Sequence, residues 1–158
     1  MRAILLALAL GSVPAALAAD GPPTVAEVRA FKESVADASR ARDLARLTAA
    51  LADDCRIELH STVEGREQVT LLTRAEYVEL LSSGFAALKD LEHYEYRVSD
   101  LEVTLVRDPP GATVTSRVHE AFVLNGRPSA TESRETARVE RRGHELKLVA
   151  VSSETAAR

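Results

Sequence analysis

The chain has 158 residues, with 20 Lys and Arg against 24 Asp and Glu, and a formal net charge of −4. That length suits one compact domain, and a mildly acidic chain with scattered basic residues lacks the electrostatic footprint of a nucleic-acid binder. A single cysteine, Cys55, excludes an internal disulfide, so stability has to come from packing, with Cys55 itself expected as a small buried residue.

Met1 to Ala18 carries one positive charge at Arg2, an apolar run from Ala3 to Leu10 and a small-residue end at Ala16-Leu17-Ala18. This is the pattern of a cleaved export signal, since the apolar run falls far short of the roughly 18 residues that span a membrane. A periplasmic or secreted protein is expected, with no membrane anchor after cleavage and a single domain over residues 24–156.

Thr24 and Glu27 form a T-x-x-E capping box, and Val28, Phe31, Val35 and Ala38 follow on one helical face. Asp43 caps a second predicted helix carrying Leu44, Leu47 and Leu51. Asp53-Asp54 should turn the chain there, because carboxylates oppose the dipole at a helix C-terminus. From Arg56 the pattern alternates as a strand, with Ile57 and Leu59 on one face and Glu58 and His60 on the other, up to a turn at Glu64-Gly65. Thr73 and Glu76 repeat the capping box and open a helix striped by Tyr77, Leu80, Leu81, Phe85 and Leu88, expected to cover a sheet.

Beyond it, Tyr94, Tyr96 and Val98 share one parity and Leu101, Val103 and Leu105 the other. An extra residue near Ser99-Asp100, a β-bulge, restores one inner face and bends the strand. A turn over Asp108 to Gly111 then sets Leu105 opposite Val114 and Leu101 opposite Val118. Next, Asn125-Gly126 supplies a two-residue hairpin turn, which places Ser133 opposite Val118, Glu135 opposite Ser116 and Ala137 opposite Val114. A turn at Arg142-Gly143 pairs Val139 with Leu146, Ala137 with Leu148, Glu135 with Ala150 and Ser133 with Ser152. A one-residue slip in either hairpin would reverse a whole strand, so agreement on one inner face is a demanding condition. On the outer face the same register opposes Arg117 to Arg134, a like-charge pair that a nearby Glu or a longer first turn would relieve.

The expected inner face is divided. Val114, Ala137, Val139, Leu146 and Leu148 fill one end, while Ser116, Ser133, Glu135 and Ser152 crowd the other, with Glu120 beyond. Glu135 is the best candidate for general acid or base work, because an apolar wall disfavours a free carboxylate. Glu120 would stand about 13 Å away from strand rise, too far to share a proton with it. Tyr77, Tyr94 and Tyr96 offer hydroxyls from the walls. His60, His93, His119 and His144 fall on outer faces or at a turn, and neither Glu58/His60 nor His93/Glu95 has an evident third ligand, so no metal is expected. No phosphate-cradling glycine loop or nucleophile elbow occurs.

The stretches "ARDLARLTAALADDCRIEL" (Ala41 to Leu59), "LTRAEYVELL" (Leu72 to Leu81) and "ETARVERRGHELKLVAVSSE" (Glu135 to Glu154) resemble the nuclear-transport-factor-2-like superfamily, which includes ketosteroid isomerases and polyketide cyclases. The resemblance implies an α+β fold in which three N-terminal helices pack on a strongly curved, bulged antiparallel sheet and enclose a cone-shaped apolar pocket, often in a dimer. It also implies a departure. The position of the isomerases' general-base Asp is Leu59 here, and their oxyanion-hole acid aligns loosely with Glu135. The expectation is therefore a cofactor-free domain binding a small apolar ligand through Tyr77, Tyr96, Ser116, Glu120, Ser133, Glu135 and Ser152. The alternatives are an isomerase, cyclase or dehydratase working through Glu135, and a homodimeric interaction module.

Overall fold

The computed structural model describes residues 21–63, 66–89, 93–124 and 126–156. In chain order these form α1 (Val25–Arg40), α2 (Leu44–Ala50), β1 (Leu51–Val63), β2 (Arg66–Thr73), α3 (Arg74–Ala87), β3 (His93–Arg107), β4 (Pro110–Leu124), β5 (Arg127–Arg142) and β6 (Glu145–Ala156). The export signal expected over Met1 to Ala18, the Glu64-Gly65 turn and Asn125 lie outside the described residues.

Both capping boxes form. Thr24 and Thr73 each accept from the backbone of the Glu three residues on, and Glu27 and Glu76 each accept from the cap's own N–H. These bonds, with the side-chain bond from Arg141, hold the Glu27 carboxyl down at about 2. Asp43 caps α2 through the Arg46 N–H. That helix is shorter than its leucine spacing predicts, because Leu51 is already extended and opens β1. Asp53 and Asp54 accordingly sit in a strand stretch whose register is irregular, between Leu51 opposite Leu148 and Arg56 opposite Ala150.

The three helices pack against one six-stranded sheet of order β2-β1-β6-β5-β4-β3. The expected antiparallel sheet is in fact mixed, since β1 runs parallel to β6 while every other pairing is antiparallel. The edge strand β2 has no counterpart in the sequence pattern. Paired on one side only and exposed at every residue but Leu72, it needs no inward alternation.

The β4–β5 hairpin adopts the expected register throughout, from Leu124 opposite Arg127 to Val114 opposite Ala137, with Gly126 at φ +70 in its turn. Arg117 does oppose Arg134, and its guanidinium is relieved by Asp100 at 3.1 Å and Glu132 at 3.4 Å. Between β3 and β4 the bulge falls where expected, with Asp100 at φ +52 and Asp100-Leu101 set against Ser116 alone. The pairing is shifted by two residues, Val103 opposite Val114 and Leu105 opposite Ala112, because Asp108-Pro109 alone makes the turn. An even shift preserves the face.

The β5–β6 register differs from the expected one. The turn lies one residue later, Arg142 pairing with Glu145, and Val149 is extruded between Leu148 opposite Val139 and Ala150 opposite Arg138. Past that bulge, Val151 faces Ala137 and Ser153 faces Glu135, so Ser152 is on the outer face and Val151 in the core.

The core gathers at the end of the sheet beneath α1. Val28, Ile57, Val114 and Val139 are fully enclosed, with Cys55, Ala137, Leu148 and Val151 around them. Each large side chain there contributes about 1.5–3 kcal/mol through removal from water. Leu59 packs against this cluster and Leu146 lies at its margin. In α3, Tyr77, Leu81 and Phe85 turn inward on a four-residue step, whereas Leu80 is half exposed.

Candidate functional site

A cavity of about 370 Å³ opens between the helices and the inner face, next to the core. Helix α1 contributes Lys32, Val35, Ala36 and Ser39, a three- and four-residue spacing that puts all four on one side. Helix α3 contributes Tyr77, Leu81 and Phe85. Alternate residues of the strands supply the other wall: Tyr94, Tyr96 and Val98 from β3, Ser116, Val118 and Glu120 from β4, Thr131, Ser133 and Glu135 from β5, and Val151, Ser153 and Thr155 from β6.

Six of the seven residues expected in a pocket thus converge: Tyr77, Tyr96, Ser116, Glu120, Ser133 and Glu135. Ser152 does not. The β6 bulge turns it into a larger, more open groove on the opposite face, beside Glu58, Leu71 and Arg138, while Ser153 comes to lie opposite Glu135 and Thr155 opposite Ser133. Ser133 and Thr155 hydrogen-bond through their hydroxyls at 2.9 Å.

The central polar feature includes a residue that is not among those expected in the site. Lys32 Nζ donates to Glu135 Oε1 at 2.5 Å, with the two side chains 7% and 20% exposed. The signal was present in the spacing, for Lys32 stands four residues from both Val28 and Ala36 on the buried face of α1. A Lys on that face must reach an acceptor or remain unpaired in apolar surroundings. Glu135 is thus engaged by a cation rather than solvated or paired with an Arg.

The three tyrosine hydroxyls stay protonated. Burial and then the Glu135 charge push the Tyr96 hydroxyl up to about 12 and raise that of Tyr77, while Tyr94 is raised by burial and then by Glu120, to which it hydrogen-bonds. None supplies a phenolate near neutral pH. Cys55 is buried beside the core, its thiol pushed up to about 11 by burial and by the neighbouring Asp54. On the outer face His60 is held between Glu58 at 2.5 Å and Glu67 at 3.2 Å, and among the described residues no three His, Cys, Asp or Glu side chains are arranged to hold a metal ion.

No protein-family model matches the chain, and no curated protein is significantly similar to it. Solved structures are. An NTF2-like protein of unknown function in nutrient uptake from Rhodospirillum rubrum is 24% identical with a TM-score of 0.62, over 82% of this chain and 98% of its own. A ketosteroid isomerase-like protein from Erwinia carotovora atroseptica is 14% identical with a TM-score of 0.61, over 84% of this chain and 96% of its own. An uncharacterized protein with a cystatin-like fold from Caulobacter vibrioides is 15% identical with a TM-score of 0.60, over 84% of this chain and 89% of its own. The described chain therefore has the nuclear-transport-factor-2-like fold.

Proposed function

We propose that this is an exported domain that binds a small, largely apolar molecule in a cone-shaped pocket, whose floor is the cavity between α1, α3 and the inner face. The observation that carries the reading is the Lys32–Glu135 pair set into a cavity of about 370 Å³ walled, apart from Glu120, by aliphatic and aromatic side chains and hydroxyls. That volume falls within the range of small-molecule sites, where a few placed polar groups orient an apolar ligand. Export rests on the charge, apolar run and small-residue end of the first 18 residues.

The test is a thermal-shift screen of small apolar metabolites, repeated by native mass spectrometry. A binder should raise the melting temperature of the parent and lose that effect in Ser133→Phe, which fills the cavity from β5. A panel that shifts neither protein would refute the proposal.

The second reading is cofactor-free isomerisation, cyclisation or dehydration through Glu135, favoured by the Tyr77 and Tyr96 hydroxyls close enough to feel its charge. Its difficulty is that Lys32 already occupies Oε1. Under this reading Glu135→Gln abolishes turnover of any substrate found, whereas the binding reading predicts that the ligand complex survives it.

A further inference from the structure

Glu120 differs from Glu135 in one respect that bears on which molecules the cavity accepts. Of the charged side chains lining it, Lys32 and Glu135 neutralise each other, and Glu120 is left as the excess negative charge. Among the described residues no Lys, Arg or His forms an ion pair with Glu120. Two cations that act on Tyr96 and Tyr94 have partners of their own. Arg40 donates to the Tyr96 carbonyl at 3.1 Å and pairs with Asp37, and Arg42 donates to the Leu88 carbonyl at 2.7 Å while lying 5.4 Å from the centre of the Tyr94 ring.

The strand register builds an aromatic frame around that carboxylate. Tyr96 is the residue directly opposite Glu120 on β3, and Tyr94 is opposite Phe122, one inward position along. Cross-strand neighbours of this kind stand about 5 Å apart at Cβ, and diagonal ones remain within reach of an aromatic side chain. Thr131 flanks Glu120 on the β5 side. A carboxylate that accepts from the Tyr94 hydroxyl, has Tyr96 opposite it and forms no ion pair with a described cation attracts a positively charged nitrogen into this partly enclosed space. An anionic ligand would instead add to an existing excess of negative charge, and a neutral one would leave Glu120 with the Tyr94 hydroxyl as donor but without a cation.

Resting on the binding reading above, we propose that the cavity is selective for organic cations: an ammonium group seated at Glu120 between Tyr94 and Tyr96, carried on an apolar body that extends toward Val118, Leu81 and Phe85. The Lys32–Glu135 pair remains intact as a neutral polar floor.

The probe set is benzyltrimethylammonium, its uncharged isostere neopentylbenzene, and phenylacetate, with dissociation constants measured by protein-observed NMR. The expected result is that the ammonium binds at least tenfold more tightly than neopentylbenzene and that phenylacetate binds most weakly. Glu120→Gln should remove the ammonium's advantage over neopentylbenzene. Equal binding of ammonium and isostere to the parent protein overturns the selectivity while leaving the binding reading in place, and needs no variant to fold. Failure of all three probes to bind overturns both. A preference for the ammonium that survives Glu120→Gln overturns the assignment to Glu120.

Discussion

Lys32→Met tests whether the site is built on a structural ion pair. The ammonium lies 2.5 Å from Glu135 Oε1, and the lysine side chain is 7% exposed. Removing one partner of a buried pair costs about 3–5 kcal/mol, because the other charge stays behind unpaired. Here Glu135 keeps 20% of its side-chain surface open through the cavity, so water can take over part of the lost interaction, and the expected cost falls to about 2–3 kcal/mol. For a domain of this size about 3–5 °C of melting temperature accompanies each kcal/mol, so Lys32→Met should melt roughly 10 °C below the parent. The double variant Lys32→Met/Glu135→Met removes both charges and should return to within about 1 kcal/mol of the parent, since apolar replacement of a buried pair is close to neutral. Urea unfolding followed by circular dichroism gives all three stabilities. The reasoning fails if the single variant loses less than about 0.5 kcal/mol, or if the double variant is as unstable as the single one.

Gly111→Ala should lose about 1–3 kcal/mol by urea unfolding, because the added Cβ would lie 2.5 Å from the Val139 carbonyl oxygen, a backbone atom that cannot step aside alone. Cys55 should resist a thiol reagent in the native protein and react at the rate of unfolding, since its thiol is buried and pushed up to about 11; fast labelling under native conditions would contradict its placement. His60 is raised first by the side-chain bond to Glu67 and then by that to Glu58. A raised value means that its contribution to stability is fully present below the ordinary histidine range and is lost as pH climbs through the folded-state value. Imidazole NMR titration should place His60 above free histidine, and Glu67→Gln should bring it down.

Local signals made most of the fold legible. Each capping box is set by residues three apart, and the β4–β5 register follows from one Asn-Gly signal in the sequence, so neither depends on the rest of the chain. The β3 bulge was legible because the apolar parity visibly changes across Ser99-Asp100. The β6 bulge was not. In Leu146-Lys147-Leu148-Val149-Ala150-Val151, apolar residues occupy both parities, so the pattern cannot say which residue is extruded, and no glycine or positive φ marks Val149. Ser152 was drawn into the site on that account. Lys32 is illegible for a different reason: a lysine in a helix reads as solvated surface until the sheet supplies the carboxylate that accepts it, and Glu135 is 103 residues away in the chain. Direction of pairing between β1 and β6 was equally invisible, since no turn joins them.

The two bulges explain why the inner face is apolar at one end and polar at the other without any strand changing its alternation at random. In β6, the extruded Val149 lets Leu148 and Val151 both point inward, an interval of three that a regular strand forbids. The apolar floor is thereby carried one step farther, and the hydroxyls of Ser153 and Thr155 then arrive opposite Glu135 and Ser133. In β3, the extra residue at Asp100-Leu101 performs the matching change of phase, so that Leu101 and Val103 meet the core while Val98, Tyr96 and Tyr94 line the cavity. Both irregularities fall at the boundary between core and cavity, and each also bends its strand. The polar and aromatic positions of the site are therefore set by where two residues are left unpaired, as much as by which side chains the sequence provides.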